Sequence, residues 1–211
     1  MTDPTNPPDF LFDGPRDARL TIALAHGAGA PMTSPFMQAF ADGLAAEGFR
    51  VARFEFPYMA ERRNSGRKRP PDRAAVLVAT WRAAIAALKP ENLVIGGKSL
   101  GGRMASMAAD EMAVKGLVCL GYPFHAPGKA ATAERLAHLA ALRTPTLICQ
   151  GERDALGSRA EAESYKLSPA VRLRWLADGD HGFKPRQASG LSEAGNWAEA
   201  IAAVADFARK L

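Results

Sequence analysis

Two cysteines are all that this 211-residue chain contains, and both sit inside apolar runs, Cys119 in GLVCLGY and Cys149 in PTLICQG. A disulfide scaffold is therefore excluded, and two thiols in strand-like segments suit a reducing compartment. The N-terminus, MTDPTNPPDFLFDG, has no basic region followed by an apolar one, so a secretory signal is not expected. Residues 20–41 carry no Asp, Glu, Lys or Arg, but His26, Gly27, Gly29, Pro31, Ser34 and Pro35 interrupt them and leave them too polar to span a bilayer. A soluble, cytoplasmic protein without a membrane partner is the expectation. C-x-x-C, H-E-x-x-H and G-x-G-x-x-G are all missing. No metal and no other cofactor is therefore expected. Internal repeats, heptads and a linker-like stretch are also lacking, which leaves a single domain over 1–211, with residues 1–9 read as a flexible lead-in.

What is present is an ordinary globular composition, 47% hydrophobic and 23% charged, with a net charge of +5. That charge is local. Residues 61–73 hold Arg62, Arg63, Arg67, Lys68, Arg69 and Arg73 against Glu61 and Asp72, giving +4 and leaving +1 for the rest. One basic segment does not make a nucleic-acid-binding protein, and no nucleic-acid partner is expected.

From residue 19 onward, strand-like and helix-like segments alternate. RLTIALAHG (19–27), RVARFEFP (50–57), NLVIGG (92–97), GLVCLGYPF (116–124), PTLICQG (145–151) and VRLRWLA (171–177) read as strands. Helices are expected from Ser34 to Gly48, from Asp72 to about Lys89, over 101–113, over ERLAHLAAL, near 158–167, and from about Ser192 to the end. Strands separated by helical stretches imply right-handed crossovers and a mainly parallel sheet covered on both faces. The predicted fold class is three-layer α/β.

Gly97-Lys98-Ser99-Leu100-Gly101 matches G-x-S-x-G. Composition alone would give roughly 0.07 such matches in a chain of this make-up, so the pattern by itself is weak. Its setting is more specific: it lies directly after an apolar strand and directly before a helix, as a nucleophile elbow requires. The plain alternative is a glycine-rich turn that holds a phosphate at a helix start. A serine hydroxyl needs a base and an orienting carboxylate, here expected in the order Ser, Asp or Glu, His, each after a strand. Asp154 in QGERD and His181 in GDHGF meet that order, with Glu152 as the competing carboxylate and His125 of YPFHAP as the competing base. Asp178 and Asp180 flank His181 too tightly to orient its ring. His138 reads as a solvated helix residue and His26 as a loop-shaping one. For an oxyanion, the amide of Leu100 and one from HGAGA are the candidate donors, Ala28 first and Gly29 second.

HGAGA, GGKSLGGR, the carboxylate after QGER, and GDHGF together resemble the α/β-hydrolase superfamily. HGAG, the FPYM…RR…RPPDR segment, GGKSLGGR and YPFHAP further resemble a compact family related to the dienelactone hydrolases, over nearly the whole chain from about residue 10. That family shares its domain with a subunit of a eukaryotic histone-acetyltransferase complex. The resemblance implies an α/β-hydrolase fold, and a serine hydrolase with a Ser99, His181, Asp154 triad acting on an ester, thioester or lactone; the 20 residues between the strands at 116–124 and 145–151 leave no room for a substantial lid domain. The chromatin relative implies a second reading, a non-catalytic interaction domain. Dienelactone hydrolases carry a cysteine nucleophile where this chain has Ser99, so their substrate does not transfer. The partner expected is a small acyl substrate. Arg62, Arg63 or Arg69, on a loop at the carboxyl edge of the sheet, would favour an anionic one, and His125 would line its pocket.

Overall fold

The computed structural model describes residues 3–211. Seven strands form one sheet: β1 (Phe10–Asp13), β2 (Thr21–Ala25), β3 (Arg50–Phe54), β4 (Leu93–Lys98), β5 (Gly116–Leu120), β6 (Thr146–Gly151) and β7 (Val171–Leu176). The helices are α1 (Pro35–Ala46), α2 (Pro57–Ser65), α3 (Ala74–Leu88), α4 (Leu100–Ser106), α5 (Ala133–Ala141), α6 (Arg159–Ala162) and α7 (Glu193–Arg209). The strand order is β1-β3-β2-β4-β5-β6-β7, parallel throughout except for β1, which runs antiparallel along β3. The reversal of order at β2 and β4 opens a crevice at the carboxyl ends of these strands, where open α/β sheets bind ligands.

The central strands are buried on both faces, which explains their unbroken apolar runs: Ile22, Ala23, Leu24 and Ala25 are all fully covered. α1 and α7 cover one face through Met37, Phe40, Leu44, Ala200 and Val204. α3, α4 and α5 cover the other through Leu77, Trp81, Met104 and Leu139. Strand β3 brings a charge inside: Arg53 is 1% exposed and donates to Asp13 Oδ2 (2.8 Å), Met32 O and Gln38 Oε1 (both 3.0 Å). The full set of acceptors keeps a buried guanidinium tolerable and ties the edge strand β1 to the sheet.

Several boundaries differ from those expected. The basic segment is not all loop, because Pro57 starts a helix that carries Arg62 and Arg63 and stops at Gly66, φ +70°. α3 begins at Ala74 rather than Asp72, whose carboxylate instead accepts the Tyr58 N–H at 2.9 Å. α4 ends at Ser106 rather than 113, where Met107 and Ala108 turn to carbonyls three residues back. α6 is a single turn where a ten-residue helix was expected. Among the described residues no helix is long and apolar enough to cross a membrane.

Candidate active site

β4 ends in a turn that only glycine-flanked sequence can make. A Cβ on Gly97 would lie 2.0 Å from Ala25 O and one on Gly101 2.3 Å from the same atom, so both must be bare for β4 and α4 to pass against β2. Between them Ser99 takes φ +49°, ψ −110°, a conformation that costs a non-glycine residue about 1–3 kcal/mol. The Ser99 N–H donates to Leu120 O at 3.0 Å, which holds the bend against β5.

Ser99 Oγ lies 2.9 Å from His181 Nε2, and His181 Nδ1 lies 2.8 Å from Asp154 Oδ2. Asp154 is fully buried and also accepts from Gln150 Nε2 (2.9 Å) and the Leu156 N–H (2.8 Å). Those donors leave His181 Nδ1–H as the complement to Oδ2, so Nε2 presents a lone pair to the serine. The competing carboxylates are engaged elsewhere. Glu152 accepts from the Asp178 N–H and Arg159, Asp178 pairs with Arg186, and Asp180 accepts from the amides of Gly182 and Lys184.

The two loops around these groups are held by their carbonyls. His181 O accepts from Lys98 Nζ (2.5 Å), Gly182 O from Trp197 Nε1 (2.9 Å) and Phe183 O from Asn196 Nδ2 (2.8 Å). On the opposite wall, Gly27 O accepts from His26 Nδ1 (2.6 Å), Ala28 O from the Tyr58 hydroxyl (3.0 Å) and Gly29 O from Arg62 Nη1 (3.2 Å). The Phe56 N–H donates to His26 Nε2 at 3.1 Å, which fixes the proton on Nδ1. Burial lowers the His26 pKa to about 4 and raises that of Tyr58, so both remain neutral donors at physiological pH. The amides of Ala28 and Leu100 make no hydrogen bond within the described residues.

Lys98 precedes Ser99 at the end of β4. It lines the cavity beside Ser99, with Phe36 and Phe183 rings 5.4 and 5.7 Å from Nζ. Burial lowers its pKa from 10.5 to about 8, against the fields of Asp154 and Asp180. In the unfolded chain the proton is retained up to about 10.5, so stability contributed at this site rises with pH between those values. Urea midpoints of the wild type should climb relative to Lys98→Met across that window, and a constant offset would contradict the shift.

Arg62 bonds to the cavity rim, through Gly29 O, without lining the cavity itself. Arg63 pairs with the buried Glu55 (3.4 Å), and Arg69 pairs with Glu61 and Asp72. His125 does not reach the cavity; its Nε2 faces Glu161 Oε1 at 3.5 Å. His138 is not solvated as its helical position suggested: it is half-buried, with Nε2 3.0 Å from Ser106 Oγ and 3.1 Å from the Tyr122 hydroxyl. Tyr58, Trp197 and Asn196 could not be assigned from sequence, because each acts on a loop 13 to 30 residues away; the FPYM segment was the available signal for Tyr58.

The cavity over Ser99 measures about 600 Å³ and has an apolar wall of Phe36, Met37, Leu156 and Trp197. Among the described residues no separate segment covers it, and the His181 side chain is 31% exposed.

A family model described as an alpha/beta hydrolase domain matches residues 18–209. The chain belongs to this α/β-hydrolase family. Solved members of the fold agree at low identity. A dienelactone hydrolase from Anabaena variabilis is 22% identical with TM-score 0.67, covering 95% of this chain and 88% of that one. The esterase domain of a Rhodothermus marinus protein is 18% identical with TM-score 0.65, covering 94% and 91%. An α/β serine hydrolase without a lid from Xanthomonas campestris is 16% identical with TM-score 0.62, covering 96% and 86%. At these identities the hydrolases share the fold with this chain. No curated protein matches it.

Proposed function

We propose that this α/β hydrolase is a serine hydrolase that cleaves a carboxylic ester, thioester or lactone through an acyl-serine. The observation that carries the reading is the continuous hydrogen-bonded line from Ser99 Oγ through the His181 ring to the buried Asp154. In the proposed reaction His181 Nε2 takes the Ser99 proton as Oγ attacks the carbonyl, and Asp154 holds the ring and stabilises its charge. The free amides of Leu100 and Ala28 would receive the oxyanion. The tetrahedral intermediate collapses as the imidazolium gives its proton to the leaving oxygen or sulfur. Water deprotonated by His181 then releases the acid and restores Ser99. The apolar wall fits a short acyl or aromatic acyl group, and the uncovered mouth leaves the leaving group unrestricted in size.

Labelling by a fluorophosphonate tests this, with Ser99→Ala and heat-denatured protein as controls. Labelling lost in both controls supports an activated serine. A folded wild type that stays unlabelled would favour the non-catalytic interaction domain instead. Tyr58→Phe removes the donor to Ala28 O while keeping the ring, and should lower kcat by about 10- to 100-fold with little change in KM.

A further inference from the structure

Between α4 and α5, away from Ser99, lies a groove of about 730 Å³. It shares no lining residue with the cavity over Ser99. Its walls gather cations that the hydrolysis does not use: Arg103 from α4, Arg135 from α5 and Lys129 from the segment joining β5 to α5.

Arg103 is the unusual member. Its Nε is sealed from solvent without a hydrogen-bond partner. The rest of the guanidinium also has no acceptor or carboxylate partner among the described residues, and the side chain forms part of the groove wall. Arg135, across from it, gives Nε and Nη2 to Pro123 O and keeps Nη1 free. The two are close enough that the field of Arg103 adds to burial in lowering the pKa of Arg135. Carboxylates do not balance them. Asp110 on the groove wall is occupied by Arg143 and by the N–H and hydroxyl of Thr144, and only the exposed Glu134 remains. With Asp110 offset by Arg143, three cations against Glu134 leave a net +2. His138 completes the floor as a neutral group, its pKa lowered by burial and then by Arg103 and Arg135. A charged side chain this poorly answered by its own protein calls for an external anion.

We infer that this groove binds a small phosphorylated metabolite, its phosphoryl dianion held between the guanidiniums of Arg103 and Arg135 with Lys129 at the rim. A net +2 matches a dianion better than a single carboxylate, and paired guanidiniums suit a phosphoryl group's several acceptor oxygens. The volume beyond the cations, with Met107 and Leu142 on its wall, accommodates a compact organic body. The site is independent of Ser99 chemistry, so it stands or falls apart from the hydrolase reading.

Calorimetric titration with glycerol 3-phosphate at fixed ionic strength tests it. The wild type and Ser99→Ala should both bind saturably, and neither should bind glycerol. Arg103→Gln and Arg135→Gln should each weaken binding by about tenfold or more. Lys129→Gln, at an exposed position that leaves the fold untouched, should weaken it less and reduce its salt dependence. The proposal is overturned if glycerol 3-phosphate does not bind the wild type, if the Lys129 variant and both arginine variants bind it equally well, or if acetate competes with equal affinity.

Discussion

An Asp154→Asn variant is expected to lose about 10⁴ in kcat while staying folded. Asp154 Oδ2 lies between His181 Nδ1 and Gln150 Nε2, both at hydrogen-bond distance, and Oδ1 accepts from the Leu156 amide. The site offers donors to every carboxylate oxygen. An asparagine must turn its NH₂ toward one of them, and His181 is the partner that can answer by moving its proton from Nδ1 to Nε2. The ring then points N–H at Ser99 and cannot accept its proton. Size and shape are nearly unchanged, so the circular dichroism spectrum should match the wild type. Steady-state hydrolysis of a short-acyl aryl ester, together with the rate of fluorophosphonate labelling, checks the result. Activity within tenfold of the wild type would remove Asp154 from the proposed mechanism.

The second large effect is on stability. Gly97→Ala should cost more than about 3 kcal/mol, because its Cβ would overlap the backbone of β2 in the middle of the sheet and the residue would also be held at φ +147°. Strand β4 cannot shift away without breaking its pairing with β2 or β5. Gly29→Ala is the contrasting case: nothing lies within 4 Å of an added Cβ there, so its stability should stay within about 0.5 kcal/mol of the wild type. Urea denaturation of both variants gives the comparison, and equal midpoints would contradict the steric argument.

The parts of the molecule readable from sequence share a cause: their signal is local. The apolar runs of β2, β4, β5 and β6 are long because those strands are buried on both faces, and a strand end followed by a short loop marks each of the three groups, after β4, β6 and β7. Ser99, Asp154 and His181 could be nominated in that way, from a strand end and its following loop. β1 escaped notice because four residues, two of them exposed, carry too little periodicity. α2 was hidden by its charges: ERRNS reads as a solvated loop until Pro57 and Gly66 are seen to bracket one helix. The burial of Arg53 and His138 depends on hydrogen-bond partners from distant segments, Met32 and Gln38 for the first, Ser106 and Tyr122 for the second. No window of sequence contains such partners.

The carbonyls of residues 27–29 and 181–183 are gripped by the adjacent His26 and by side chains from three other parts of the chain, α2, β4 and α7. If the proposed hydrolysis holds, its mutational footprint should therefore extend well past the atoms that meet substrate. Tyr58, Asn196 and Trp197 would register as intolerant positions in any survey of variants scored by turnover. Drift across a lineage would be slowed at these places as firmly as at the serine itself, although none of them takes part in a bond that is made or broken.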